Sequence, residues 1–254
     1  MKTIAIMQPT YLPWIGYFDL IDQVDQFVFL DDVQLVKRSW QVRNRIKTPQ
    51  GDLFLTVPIK KKKHRKDTLI KNAEINYDED WANKHLKSLE HYFKKAIYFD
   101  EIFHLVKILL LKKHKYLANL NIDFIQNICM KLKMENCFLK SSELEGIKGK
   151  QDKRLAEICI RLGAEEYLSP QGSAVYIEKL KPGGEFPENN IKLFYHNFEH
   201  PVYEQLHGSF KSKLCILDLL FNCGFQNALE IIRKGRRNKI FYKEFRKIYF
   251  NKNE

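Results

Sequence analysis

The first thirty residues read as a strand, a proline-bearing loop, a helix and a second strand, and that order constrains the fold more than any other feature of the chain. Thr3 to Met7 alternates short apolar residues, as a buried strand does. Gln8-Pro9 ends it, because proline removes a ladder donor. After the loop TYLP, Trp14 to Gln23 carries apolar residues at 14, 15, 18 and 21, a helical spacing, with Pro13 in the first-turn position that proline favours. Gln26 to Leu30 is a second Phe- and Val-rich run, and it stops at Asp31-Asp32. Strand, helix, strand is the first half of a nucleotide-binding α/β fold.

The rest of the chain extends this pattern. Leu53 to Ile59 reads as a strand that Pro58 confines to an edge or a strand end. Three amphipathic helices follow without a strand between them, Trp81 to Tyr98, Ile102 to Tyr116 and Ile122 to Lys133. Each needs a partner for its apolar stripe, so they are expected to pack on one another as a helical elaboration over about 81–133. Strand character returns at Cys137 to Leu139, Glu166 to Leu168 and Ile191 to Tyr195. Helices are expected at Lys153 to Leu162, ended by Gly163, at Leu214 to Cys223, closed by Gly224, and at Asn227 to Arg233. No linker divides the chain, so residues 1–235 are expected to form a single α/β domain and 236–254 a basic C-terminal tail.

Charge is concentrated in two places. The net charge of +12 lies almost wholly in the run KKKKHRK at 60–66 and in the segment from Arg233 onward, leaving a nearly neutral body. A nucleic-acid binder tends to carry its basic face across the domain, so that class is disfavoured. The basic run is a solvated loop, a phosphate site or a contact for an anionic membrane. The chain has no stretch of 18 apolar residues and no signal-peptide pattern at its N-terminus, so a cytoplasmic protein is expected. Five cysteines without a C-x-x-C pair argue against a disulfide framework or a zinc knuckle; Cys129, Cys159 and Cys215 lie in helical apolar patterns as small hydrophobes.

Three segments could carry chemistry. The first runs from Gln8 to Gly16, where ligands of open α/β sheets bind, beyond the carboxyl end of a strand. The following helix would offer free N–H groups to an anion, and Gly16 would permit close approach. Tyr11, Trp14 and Tyr17 would give ring faces for a base or sugar, unless they are core. The second runs from Asp31 to Arg45, within DDVQLVKRSWQVRNRIK. Its two carboxylates could hold Mg²⁺ or orient an amine, and Lys37, Arg38, Arg43 and Arg45 suit phosphate; an ion-paired loop is the plain alternative. The third spans Gly149 to Tyr176, where Asp152 and Arg154 lie at a helix start and Ser169, Gly172 and Ser173 form a turn like a small anion nest. His196 and His200 lack the companions a zinc site needs, so no metal centre is expected.

In order, IAIMQPTYLPWIGYFDLI, FVFLDDVQLVKRSWQVRNRIKT, GKQDKRLAEICIRLGAEEYLSPQGSAVY and LCILDLLFN resemble the WbqC-like family over about residues 3–230. The resemblance implies bacterial O-antigen and other surface-polysaccharide assembly, with glycine transfer onto an amino sugar as the suggested activity. It carries the family's motif positions onto Gln8, Pro9, Tyr11, Pro13, Gly16 and Tyr17. It also carries them onto Asp31, Asp32, Lys37, Arg38, Trp40, Arg43, Asn44 and Arg45, and onto Asp152, Arg154, Leu155, Pro170, Gly172 and Asp218. Val42 departs from the more polar W-x-N-R-N-R expected there. The opening also resembles the nucleotidyltransferase-type fold, whose two loop histidines have no counterpart between Pro13 and Tyr17. The implied fold is thus Rossmann-like (nucleotidyltransferase-like), a largely parallel sheet with a helical elaboration.

The function these readings imply is transfer of a small acyl or aminoacyl group onto a nucleotide-linked or lipid-linked amino sugar. Asp31 or Asp32 would take the amine's proton, and the arginines would hold pyrophosphate. The donor is left open among an adenylate made from ATP with Mg²⁺, another carrier and an aminoacyl-tRNA. The alternatives are nucleotidyl or adenylyl transfer, and a non-catalytic component held at the inner membrane face by its basic tail.

Overall fold

Side chains along the first strand point alternately to two faces, and each face meets its own core. The computed structural model describes residues 1–36, 38–60 and 68–249. In chain order its elements are β1 (Thr3–Met7), α1 (Ile15–Asp22), β2 (Gln26–Phe29), β3 (Arg43–Thr48), β4 (Gly51–Thr56), α2 (Trp81–Phe93), α3 (Phe99–Leu111) and α4 (Leu117–Lys131). Then come β5 (Cys137–Lys140), α5 (Gln151–Arg161), β6 (Glu166–Ser169), α6 (Ala174–Ile177), β7 (Lys192–Tyr195), α7 (Ile216–Lys234), β8 (Ile240–Phe241) and α8 (Tyr242–Tyr249).

The main sheet runs β5-β2-β1-β6-β7-β8, with every pairing parallel except β7 with β8. Among its parallel strands the spatial order is third, second, first, fourth, fifth, the order of a dinucleotide-binding sheet. The fold is therefore α/β and Rossmann-like, as the opening pattern implied. Ala5, Phe27 and Phe29 face a core shared with α1, the helices α2 to α4, and α7. Ile4, Ile6 and Val28 turn the other way, with Tyr167, Leu193 and Tyr195, onto α5, α6 and α8. Both faces of the central strands are thus covered, as parallel sheets require.

Two segments differ from the sequence reading. Arg43–Thr48, read as a basic loop, is a strand that pairs antiparallel with β4, so the segment 43–56 is a hairpin outside the main sheet. The segment after 235, read as a basic tail, folds back to pair with β7 and then packs α8 on the core through Tyr242 and Phe245. Its cations are largely spoken for: Lys239 pairs with the buried Glu166, and Arg246 with the buried Glu178. Of the basic run at 60–66, only Lys60 falls within the described residues, and it pairs with Glu74 at 3.7 Å.

The break expected at Gly224 is present as a kink within α7, where the residue takes φ 71° and ψ 167°. A Cβ there would lie 2.7 Å from the Tyr98 ring, so glycine is needed for both dihedral and space. The three cysteines expected as small hydrophobes are buried, and burial pushes their thiols up. No helix among the described residues is long and apolar enough to cross a membrane.

Candidate functional site

β1 leads leftward to β2 and β6 rightward to β7, so the chain reverses direction between β1 and β6, and a crevice opens beyond their carboxyl ends. A cleft of 650 Å³ occupies that place. Its floor is made of strand ends: Met7 closing β1 and Gln8 after it, Leu30 after β2, Pro170 after β6 and His196 after β7. Trp14, Trp40 and Phe198 supply aromatic walls, Gln171 to Ser173 and Tyr176 close the side toward α6, and Lys213 stands at the edge. A smaller hollow of 180 Å³ adjoins it across Trp14 and Trp40, lined also by Pro13, Tyr17, Asn44 and Arg45.

The loop from Gln8 to Gly16 is held by side chains from distant segments. Asn44 donates to the carbonyls of Tyr11 and Leu12, and Asn121 to those of Pro9 and Gln41. Tyr17 donates its hydroxyl to the Gln8 carbonyl, and the Ile216 N–H reaches the Pro13 carbonyl. Leu12 is held at φ 45°, a conformation that non-glycine residues seldom adopt and that these contacts enforce. Tyr11 is core: it is fully buried, with its hydroxyl 3.1 Å from His85 Nδ1. Burial lowers the His85 imidazole to about 4, which keeps it neutral beside the phenol.

The anion cradle expected at the start of α1 is not open. The Trp14 indole folds back over Gly16, so close that a Cβ on Gly16 would meet ring carbons at 2.3 Å. What the loop gives the cleft is instead the Gln8 amide, Thr10 and the Trp14 ring. Gln8 Oε1 accepts from Gln41 Nε2 at 2.6 Å, while Gln41 Oε1 takes the Val36 N–H, which leaves the Gln8 amino group as a donor to the cleft.

The acidic pair lies off the cleft. Asp31 is buried and accepts from both Ser142 groups, its N–H and its hydroxyl, and from the Ser141 hydroxyl. Asp32 accepts from Ser141 and from Arg154 at 2.5 Å. Together they bind the end of β2 to the segment after β5 and to α5, away from the cleft lining. Arg154 is committed to this bridge and to the Ile147 carbonyl. Asp152, in the first turn of α5, lies against Gly184, and its charge adds to burial in raising the Tyr176 phenol, against a hydrogen bond from Ser173.

The arginines are dispersed. Arg38 is exposed at φ 55° and lines a separate hollow with Leu35 and Pro58. Arg43 sits 4.6 Å over the Phe54 ring, which stacks on Trp40 outside the cleft. Arg45 pairs with Asp52 at 2.8 Å. Lys37 lies outside the described residues. Of the third candidate segment, Gly172 and Ser173 line the cleft, whereas Ser169 is sealed within β6. Among the described residues no group of three or more His, Cys, Asp and Glu could hold a metal ion.

Of the residues marked from sequence, the structure therefore brings Gln8, Trp14, Trp40, Leu155, Pro170, Gly172 and Ser173 to the cleft. It adds Gln41, Tyr176 and Lys213, to which sequence reasoning gave no role, and His196, which it weighed only as a metal ligand. His196 did carry a signal: it follows directly on a buried strand, the position from which parallel sheets present ligand-binding groups. Lys213 has no ion-pair partner among the described residues, unlike Arg45 and Lys211 beside it, which share Asp52.

A profile of the WbqC-like protein family matches residues 8–230. The uncharacterized protein Rv1507c of Mycobacterium tuberculosis (strain ATCC 25618 / H37Rv) is 39% identical over 230 residues, covering 88% of this chain and 95% of the relative. No solved structure matches the chain.

Proposed function

We propose, on the premise that the chain belongs to the WbqC-like protein family, that it is a transferase of bacterial surface-polysaccharide (O-antigen) assembly. It moves a small acyl or aminoacyl group, glycine foremost, onto the amine of a nucleotide-linked or lipid-linked amino sugar. The observation that supports this reading is the cleft at the switch point between β1 and β6, lined by two tryptophans, an amide donor and one cation without an ion-pair partner among the described residues. In this arrangement the nucleotide base stacks on Trp14 or Trp40, the Gln8 amino group reads a base or sugar oxygen, and Lys213 meets the pyrophosphate. The sugar amine is then carried toward His196 and Tyr176.

Adenylyl transfer with ATP and Mg²⁺ is the rival chemistry on the same sheet. Among the described residues the cleft lining holds no carboxylate, the ligand type that Mg²⁺ takes from proteins, which favours acyl transfer. The test is calorimetric titration with nucleoside-diphosphate amino sugars, the parent nucleotides and ATP, followed by isotope exchange between pyrophosphate and ATP with glycine present. Saturable binding of an amino-sugar nucleotide, lost in Trp40→Ala, supports the reading. ATP-only binding with glycine-independent exchange would replace it with adenylyl transfer, and no nucleotide binding would remove both.

A further inference from the structure

A buried chain of charges runs from the back of the molecule to the floor of the cleft. Asp19, on α1, is fully buried, and its carboxylate accepts from His196 Nε2 at 2.7 Å, from Gln23 Nε2 at 2.6 Å and from Arg236 Nε at 2.9 Å. Arg236 continues to Asp22, which Arg233 also grips through two nitrogens at 2.8 Å. Burial acts to raise the Asp22 carboxyl, but the bonds from Arg233 and Arg236 outweigh it and hold it below the usual range. The network therefore fixes Asp19 from three sides.

A carboxylate can only accept, so the ring nitrogen facing Asp19 carries a hydrogen, and in the neutral imidazole the lone pair is then on Nδ1. His196 lines the cleft, and no hydrogen bond among the described residues engages Nδ1. Phe198 lies nearly parallel to the ring at 6.0 Å, which restricts its rotation. A buried carboxylate behind an imidazole that presents a bare nitrogen to a cleft is the arrangement that serves general bases.

We infer that His196 is the proton acceptor of the cleft and that Asp19, anchored by Arg236 and Gln23, is its positioning residue. The inference rests on the proposed transfer onto an amine. The amine nitrogen bonds to the carbonyl carbon of an activated ester donor, an aminoacyl ester or adenylate. Nδ1 takes the proton released from that nitrogen, the carbon–oxygen bond to the donor's leaving group breaks, and the imidazolium returns the proton to the departing oxygen. The charged or titratable groups facing His196 are Asp19 with Arg236 behind it, and Tyr176 and Lys213 from the cleft walls.

The test uses the full chain. Imidazole nitrogen NMR, with the His196 signal identified by its loss in His196→Gln, is expected to show the Nε2–H form, and Asp19→Asn to abolish that preference. In transfer assays His196→Gln and His196→Asn should each lose about 10²–10⁴-fold in turnover while binding the amino-sugar nucleotide within about twofold of the parent. Asp19→Asn should lower turnover and displace the acidic limb of the pH profile, which a merely structural role would not move. Full turnover in a folded His196→Gln overturns the inference and leaves the proposed function standing. An Nδ1–H ring in the parent protein overturns it whatever the reaction proves to be. If no transfer is found, the proposed function fails, and the base assignment fails with it unless cleft ligands protect Nδ1 from carbethoxylation.

Discussion

Gly16→Ala isolates the contact that shapes the cleft. The added Cβ would lie 2.3, 2.5 and 2.6 Å from three ring carbons of Trp14, against an ordinary carbon–carbon separation of about 3.5–4.0 Å. The indole must therefore retreat by about 1 Å or more. It cannot swing freely, because Phe198 meets it edge-on at 5.4 Å and His200 stacks on it at 6.2 Å. Overpacking of this kind costs about 1–3 kcal/mol, and exchanging glycine for alanine in a helix returns at most about 1 kcal/mol. A net loss of about 1–2 kcal/mol follows, equivalent to about 2–8 °C in Tm for a chain of this size. The assay is a double-mutant cycle read by thermal unfolding and nucleotide binding, with Trp14→Leu as the second change. In the Trp14→Leu background the same Gly16→Ala change should be neutral or slightly stabilising, since its obstacle is gone. Equal effects of G16A in both backgrounds would refute the argument that Gly16 exists to seat the indole.

Three further outcomes follow from the site. Arg154→Ala should cost about 2–4 kcal/mol in unfolding experiments, because it leaves the half-buried Asp32 without its cation; nucleotide affinity should change little, and a selective loss of affinity would return the acidic pair to the binding site. Burial raises the Asp218 carboxyl to about 6, against hydrogen bonds from Tyr203 and Gln205 and the charge of Lys47. The folded protein therefore holds this proton more tightly than the unfolded chain, and its contribution to stability falls as pH rises from about 4 through about 6. Asp218→Asn should remove that slope and raise Tm at pH 7.5, and an unchanged pH–Tm curve would disprove the assignment. Lys213→Ala should weaken nucleoside-diphosphate binding about tenfold with a flatter salt dependence, and an identical salt slope in calorimetry would exclude the lysine from the phosphate subsite.

The sheet was legible because its signal is local. Ile4, Ile6 and Val28 on one face and Ala5, Phe27 and Phe29 on the other need only their neighbours in sequence to declare a strand. The hairpin strand β3 was not, since RNRIKT shows cations where a strand reader wants apolar residues. Its buried Asn44 and Lys47 are satisfied by loop carbonyls and by Gln205, Gly208 and Ser209, far along the chain. The same holds for the segment 240–249, whose basic composition hides pairing with Glu166 and Glu178. That a cleft opens beyond the first strand was readable from the fold pattern; which side chains line it was not. Asp31 and Asp32 have the look of reactive carboxylates until Ser141, Ser142 and Arg154, more than a hundred residues later, are seen to bond every one of their oxygens. Conversely His196 gains its meaning only from Asp19, 177 positions earlier.

The grip of Arg236 on Asp19 spans 217 positions, so α1 leaves the ribosome long before the arginine that neutralises its buried carboxylate. During synthesis the nascent protein can assemble β1, α1 and β2, yet Asp19 then sits in an apolar core without the cation that neutralises it. A growing chain in that condition exposes a half-finished sheet and depends on prompt completion, or on a chaperone, to avoid association with its neighbours. Stalled or prematurely terminated products should accordingly be cleared by proteases rather than accumulate as a partly working protein.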